Sequence, residues 1–281
     1  MATNLRRRIV TAFVLGPIVV ALVLGAGTQS VAWAFGVVIA GAAWEWAGLC
    51  GGTAAFPRIL YVVLTACALV LVEHWWNERG VWAGLNVLAV LWWLAALGMI
   101  VVAERRRSSS RCRGRSSPPG WSLPSFVAGW LVLVPTWSAV VGVHGRSENG
   151  PARVLMLLVV IWAADVAAYA VGRRFGRRRL APSVSPGKSW EGFAGGVFAA
   201  GLAGAAVGAW AGLPGVVAAA LAVLVGAFSV IGDLAESLFK RRAGLKDSGG
   251  ILPGHGGILD RIDSLTAGAP AFALVLGWFG S

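Results

Sequence analysis

Carboxylates at helical spacing bracket a basic, glycine-rich stretch near the end of the chain. Asp233 and Glu236 stand three residues apart, and Ser237 and Lys240 continue the same helical face; Asp260 and Asp263 repeat the spacing, followed by Ser264. Two acidic stripes at neighbouring helix ends could hold a hard divalent cation such as Mg²⁺, which takes carboxylate oxygens and fills its shell with water and substrate phosphates. Between the stripes, Lys240, Arg241, Arg242 and Lys246 offer positive charge to phosphate oxygens, while Gly249, Gly250, Gly254, Gly256 and Gly257 free the backbone to approach a ligand. His255, flanked by glycines, could donate to a phosphate or shuttle a proton near neutral pH. Either stripe alone is read equally well as a solvated helix end with ordinary ion pairs. Carboxylates, bases and glycines gathered in one segment, Ser237 to Asp263, point instead to a phosphate-and-metal site.

A second cluster lies upstream. Asp165 and Tyr169 share a helix face that runs into the basic GRRFGRRR, Gly172 to Arg179, and SPGKSWEG follows at Ser185 to Gly192. The latter is not a Walker A loop, which would need glycine where Pro182 stands and a strand before it. Its physical content is an anion site at a helix start, with Lys188, Ser185, Ser189 and backbone amides favoured by the helix dipole. The plain alternative is a capped helix, with Ser189 as the N-cap.

The elements that must position these groups are membrane helices. Hydrophobic residues make up 57% of the chain and charged ones 13%, with mean hydropathy +0.74, against roughly 25% charge in soluble domains. Apolar runs near 9–26, 31–49, 57–73, 81–103, 124–142, 152–172, 190–212, 214–236 and 263–280 predict an all-α polytopic integral membrane protein with about nine transmembrane helices. The first run, behind Arg6, Arg7 and Arg8, is expected to be a retained helix rather than a cleaved leader. With the N-terminus in the cytoplasm, 21 of the 24 lysines and arginines fall in cytoplasmic segments; only Arg79, Arg146 and Arg153 fall outside. The net charge of +12 is thereby explained by anionic lipid headgroups, without nucleic acid.

Three parts are expected: N-terminal transmembrane helices over 1–103, a basic low-complexity loop over 104–123, and a catalytic membrane domain over 124–281. Of the twelve acids, Asp165, Glu191, Asp233, Glu236, Asp247, Asp260 and Asp263 sit at or near cytoplasmic helix ends of the C-terminal half. Asp165, Asp233 and Glu236 fall within or near the ends of spans, where lipid exposure would cost roughly 3 kcal/mol each, so a shared polar cavity is expected. Three cysteines, Cys50, Cys67 and Cys112, have no paired spacing. Gly192, Gly196, Gly204, Gly208 and Gly212 suit close helix packing, and tryptophans such as Trp75, Trp76, Trp121 and Trp210 suit an interfacial belt. Glu45, an acid inside a span, is a functional candidate on that ground, although it lies far in sequence from the other acids.

The run SLFKR, four residues, KDSG, and then LPGHGGILDRID resembles the signature of the phosphatidate cytidylyltransferases, also called CDP-diacylglycerol synthases. DVAAYAVGRRFG and SPGKSWEG resemble further motifs of that family, with Gly187 where lysine is common; Glu45 in AAWEWAGL is the single point of likeness in the first 150 residues. The resemblance implies that CTP and phosphatidic acid give CDP-diacylglycerol and pyrophosphate in an Mg²⁺-dependent reaction, with a second cation as a further option. It implies metal ligation by Asp233 and Asp260, with Asp263 and Asp165 beside them, and catalytic parts for Asp233, Asp260, Lys240, Lys246 and His255. Substrate contacts are expected from Lys188, Ser189, Ser237, Arg241, Asp247, Gly256, Gly257 and Arg261. The expected partners are CTP, phosphatidic acid and membrane lipids, not nucleic acid, with a homodimer as one arrangement and the plasma membrane as the location. A CTP-dependent polyprenol kinase and a transporter are the rival classes.

Overall fold

Hydrocarbon offers backbone groups no water, so a spanning chain satisfies its amides in helices, and among the described residues this one forms nine of them. The computed structural model describes residues 15–51, 54–75, 79–109, 123–251 and 256–279. Within them run α1 (Leu15–Gly25), α2 (Thr28–Leu49), α3 (Ala55–Trp75), α4 (Arg79–Ser109), α5 (Leu123–Gly145), α6 (Gly150–Phe175), α7 (Trp190–Gly208), α8 (Gly215–Arg242) and α9 (Leu259–Phe279). Seven, α2 to α8, are long and apolar enough to cross a membrane. The chain is an all-α polytopic membrane protein.

Successive helices alternate in direction. The C-terminal ends of α2, α4, α6 and α8 therefore gather with the N-terminal ends of α3, α5, α7 and α9 on one face, and every candidate site residue among those described belongs to that face. Helices α6, α7, α8 and α9 pack in sequence order, while α9 also touches α2, α4 and α5 and so becomes the axis on which the two halves meet.

Small residues set the spacing in the C-terminal half. On α7, a Cβ at Gly192 or Gly196 would fall 2.7 and 2.8 Å from the α6 carbonyls of Ala168 and Ala164, and one at Gly204 would fall 2.4 Å from Ala222 Cβ on α8. These glycines let backbones approach where lipid gives helices no hydrophobic drive to associate. Gly212 departs from that expectation. Helix α7 ends at Gly208, and Gly212 takes φ 70° in the following turn, where a Cβ would meet Asn149.

Tryptophan has two uses here. Trp75 and Trp210 are exposed as an interfacial belt requires, whereas Trp46, Trp82, Trp93 and Trp137 are buried between helices. Each of the four donates its indole N–H, at 3.0 Å, to a backbone carbonyl of another helix: Ser125, Ser138, Thr266 and Ala32 respectively. The Thr266 bond has a clear cause. Pro270, inside α9, has no N–H for the carbonyl four residues back, and that carbonyl accepts instead from Trp93 and from Thr136 Oγ1 at 3.2 Å.

One departure from an all-helical chain bears on the site. No strand is expected ahead of SPGKSWEG, yet β1 (Arg179–Ala181) and β2 (Ser185–Ser189) form an antiparallel hairpin pairing Arg179 with Ser189 and Ala181 with Ser185. Its turn is held from outside. The N–H groups of Ser183 and Val184 donate to the Glu104 carboxylate of α4 at 2.9 and 3.0 Å, and Glu191 accepts from Arg177 N–H and Arg178 N–H at its base. A carboxylate from a distant helix thus decides a local structure that propensity does not specify.

Candidate active site

A cavity of about 690 Å³ opens between α6, the hairpin, α7, α8 and the start of α9, within the size range of small-molecule sites. Four aspartates line it, Asp165 from α6, Asp233 from α8, and Asp260 and Asp263 from α9, together with three bases, Arg173, Arg179 and Lys188. Tyr169, Phe193 and Val230 supply apolar wall, and Ser185, Ser189 and Ser264 supply hydroxyls. The two clusters that lie some seventy residues apart in the sequence are one site.

Each group arrives by a different local device. Ser189 is the N-cap of α7, its Oγ accepting from Gly192 N–H at 3.1 Å, so the preceding Lys188 is carried on β2 directly over the helix start. Its ammonium stands 2.5 Å from Asp233 Oδ2, an ion pair by distance that is not aligned as a hydrogen bond. Asp233 is brought there by its neighbour Gly232: a Cβ on Gly232 would lie 2.3 Å from the Asp263 carbonyl, so α8 and α9 touch where their acids face the cavity. Across the cavity, Ser264 Oγ donates to Asp165 Oδ1 at 3.4 Å, linking α9 to α6.

Asp260 is more heavily engaged. Its Oδ1 takes Lys240 Nζ at 2.5 Å, and its Oδ2 accepts from Ser248 N–H at 3.0 Å and Gly257 N–H at 2.9 Å. Lys240 also stands 3.4 Å from Glu236 Oε1, within a buried triad. Lys240, expected to meet a triphosphate, stands here between the Asp260 and Glu236 carboxylates and is not among the residues lining the cavity.

The remaining expected residues separate by position. Asp165, Lys188, Ser189, Asp233, Asp260 and Asp263 converge on the cavity; Ser237, Lys240, Arg241, Lys246, Asp247, Gly256, Gly257 and Arg261 are not among its lining. Arg241, Lys246, Asp247 and Arg261 are exposed on the same face, with Arg241 donating weakly to Leu245 O at 3.4 Å. Gly256 holds φ 81°, which favours glycine, and Gly257 is buried. His255 and Gly254 lie outside the described residues. No three His, Cys, Asp or Glu side chains among the described residues form a closed cage for an ion.

The glycines also change meaning. Beside Gly249 and Gly257 the close neighbour is not open cavity but the Glu45 carboxylate, 2.4 Å from where either Cβ would fall. The sequence singles out Glu45 as an acid inside a span, but gives no sign of which segment it meets. Arg173 and Arg179 were visible only as members of a basic run. Glu104 gave no signal at all, being one charge at the edge of a low-complexity stretch.

Comparison with known proteins follows the geometry. Residues 6–279 match the profile of the cytidylyltransferase family. A phosphatidate cytidylyltransferase of Pseudomonas aeruginosa is 39% identical over 98% of both chains. One from Brucella suis is 35% identical over 95% of this chain and 91% of its own, and one from Haemophilus influenzae is 37% identical over 67% of each.

Proposed function

Because the chain belongs to the cytidylyltransferase family, we propose that the cavity joins CTP to phosphatidate, releasing pyrophosphate and leaving CDP-diacylglycerol in the membrane. The observation that carries this reading is the junction of Lys188, Asp233, Asp263 and Asp165 in one cavity at the membrane-facing ends of four helices, with Arg173 and Arg179 at its edge. A phosphate oxygen of phosphatidate attacks the α-phosphorus of CTP; a new P–O–P bond forms as the bond to the β-phosphate oxygen breaks, and pyrophosphate departs with that electron pair. The attacking group is already an anion, so no strong base is required, and positioning with charge neutralisation supplies the rate.

Four carboxylates facing three bases leave the cavity unable to balance two polyanionic substrates by itself. Its carboxylate donors suit Mg²⁺, which uses one or two carboxylates plus phosphate and water oxygens. Asp233 and Asp260, with Asp263 and Asp165 beside them, would hold it, Asp260 through the lone pairs that Lys240 and two amides leave free. Bound there, the cation would bridge phosphates and neutralise charge developing on the leaving pyrophosphate. Lys188 would bind a phosphate through the ammonium that here pairs with Asp233, and Arg173 and Arg179 would steady the second substrate. The apolar wall of Tyr169 and Phe193 continues into exposed Val166, Trp190 and Phe198 on α6 and α7, which suits sideways entry of a lipid.

Among the described residues, most lysines and arginines, from Arg58 and Arg105 to Lys246 and Arg261, share the cavity's face, which supports a cytoplasmic orientation, and the plasma membrane is the location proposed with it. A cysteine replacing exposed Lys246 should react with an impermeant maleimide in inverted vesicles and not in right-side-out ones. For the activity itself, purified protein with phosphatidate and Mg²⁺ should move label from α-labelled CTP into lipid. Label reaching lipid only from γ-labelled CTP would identify a kinase and overturn the proposal.

A further inference from the structure

Glu45 sits near the end of α2, 2% exposed, more than two hundred residues from the segment it touches. Its Oε2 accepts from Ser248 Oγ at 3.0 Å and from Leu259 N–H at 2.8 Å. Leu259 is the first residue of α9, whose leading amides have no partner within the helix. A carboxylate there satisfies one of them and complements the helix dipole. Glu45 is thus an N-cap supplied by another helix, where an adjacent residue would ordinarily serve.

Ser248 links this cap to the cavity. Its hydroxyl goes to Glu45 while its N–H goes to Asp260 Oδ2, which also accepts from Gly257 N–H. Ser248, and the pair Gly257 and Leu259 at the start of α9, are therefore keyed to the same two carboxylates, Glu45 and Asp260. The close approach depends on glycine at two places: a Cβ on Gly249 would fall 2.4 Å from Glu45 Oε1, and one on Gly257 would fall 2.4 Å from Oε2 and 2.0 Å from Ser248 Oγ. One turn into α9 stand Asp263 and Ser264, the groups it contributes to the cavity with Asp260.

We infer that Glu45 is a positioning residue of the active site: it fixes the start of α9 and the loop before it, and so sets where Asp260 and Asp263 stand relative to Asp233 and Lys188. Glu45 does not line the cavity, so it acts through Ser248 and Leu259 and touches no substrate. This deepens the nucleotidyl-transfer proposal above and rests on it.

Glu45→Gln keeps size and one acceptor oxygen but removes the charge. It should lower kcat about tenfold to a hundredfold, the scale seen when partners that orient site ligands are removed, while KM for phosphatidate stays within about twofold and the melting temperature is retained. Gly249→Ala should damage turnover comparably in the native background and add little in Glu45→Ala, because the atom it strikes is then gone. Independent multiplication of the two losses would overturn the inference, as would native kcat in Glu45→Gln. Hydrogen–deuterium exchange gives a readout that needs no turnover: peptides over 243–259 should exchange faster in Glu45→Gln than in the native protein. Unchanged exchange would sink the positioning role even in an active enzyme. Native protein that fails to make CDP-diacylglycerol while that exchange difference persists would sink the activity and leave the strap standing.

Discussion

Lys188–Asp233 and Lys240–Asp260 each bring an ammonium 2.5 Å from a carboxylate oxygen, and of these four residues all but Lys240 line the same cavity. Their surroundings differ. The first pair is 24% and 33% exposed, spans a strand and a helix, and has few other bonds. The second is 12% and 11% exposed, includes Glu236 at 4%, and is tied to two backbone amides. An ion pair near solvent can be exchanged for another ion at little cost, whereas a buried one that loses a member strands an uncompensated charge. The open pair is suited to substrate and metal exchange; the closed pair is suited to holding the loop and α9 in register.

This contrast can be broken experimentally. Asp233→Asn should reduce turnover by at least about a thousandfold, the scale of losing a group that organises charge at the reacting centre, with melting behaviour in detergent unchanged; substantial Mg²⁺-dependent activity would remove Asp233 from the metal site. Lys188→Ala should cost about a hundredfold in kcat/KM for CTP or phosphatidate, again without loss of fold. Lys240→Met should reverse the pattern: it leaves Asp260 and Glu236 buried without a cation and should cost roughly 3 kcal/mol of stability, read as a lower melting temperature before any specific change in KM. Smallest of all, Glu104→Gln weakens the hold on the Ser183 and Val184 amides and should reduce kcat about threefold to tenfold, accompanied by faster amide exchange confined to the hairpin.

The N-terminal and C-terminal halves differ in the same spirit. Nearly every polar motif lies after residue 150, and the first four helices look from their sequence like lipid-filling scaffold. Yet α2 and α4 each contribute one carboxylate, Glu45 and Glu104, that anchors a loop of the other half. The helices were legible because a continuous apolar run about twenty residues long has few other meanings. The hairpin was not, since Arg179–Ala181 and Ser185–Ser189 have weak strand propensity and depend on Glu104 to hold their turn. The cavity acids were legible as charges in spans, but the carboxylate partners of Lys240 were not, because basic residues in a phosphate-binding motif look alike until the fold places their neighbours.

The order of residues alone determined that this chain crosses a membrane repeatedly, which face carries its basic residues, and which acids could not be left in lipid. These follow from transfer free energies summed along the chain, and such sums need no neighbours. Which lysine is open and which is spent, which glycine clears a carboxylate, and which distant helix caps α9 were decided only by tertiary structure. Those properties belong to pairs of groups, and a pair exists only when the fold has brought its members together.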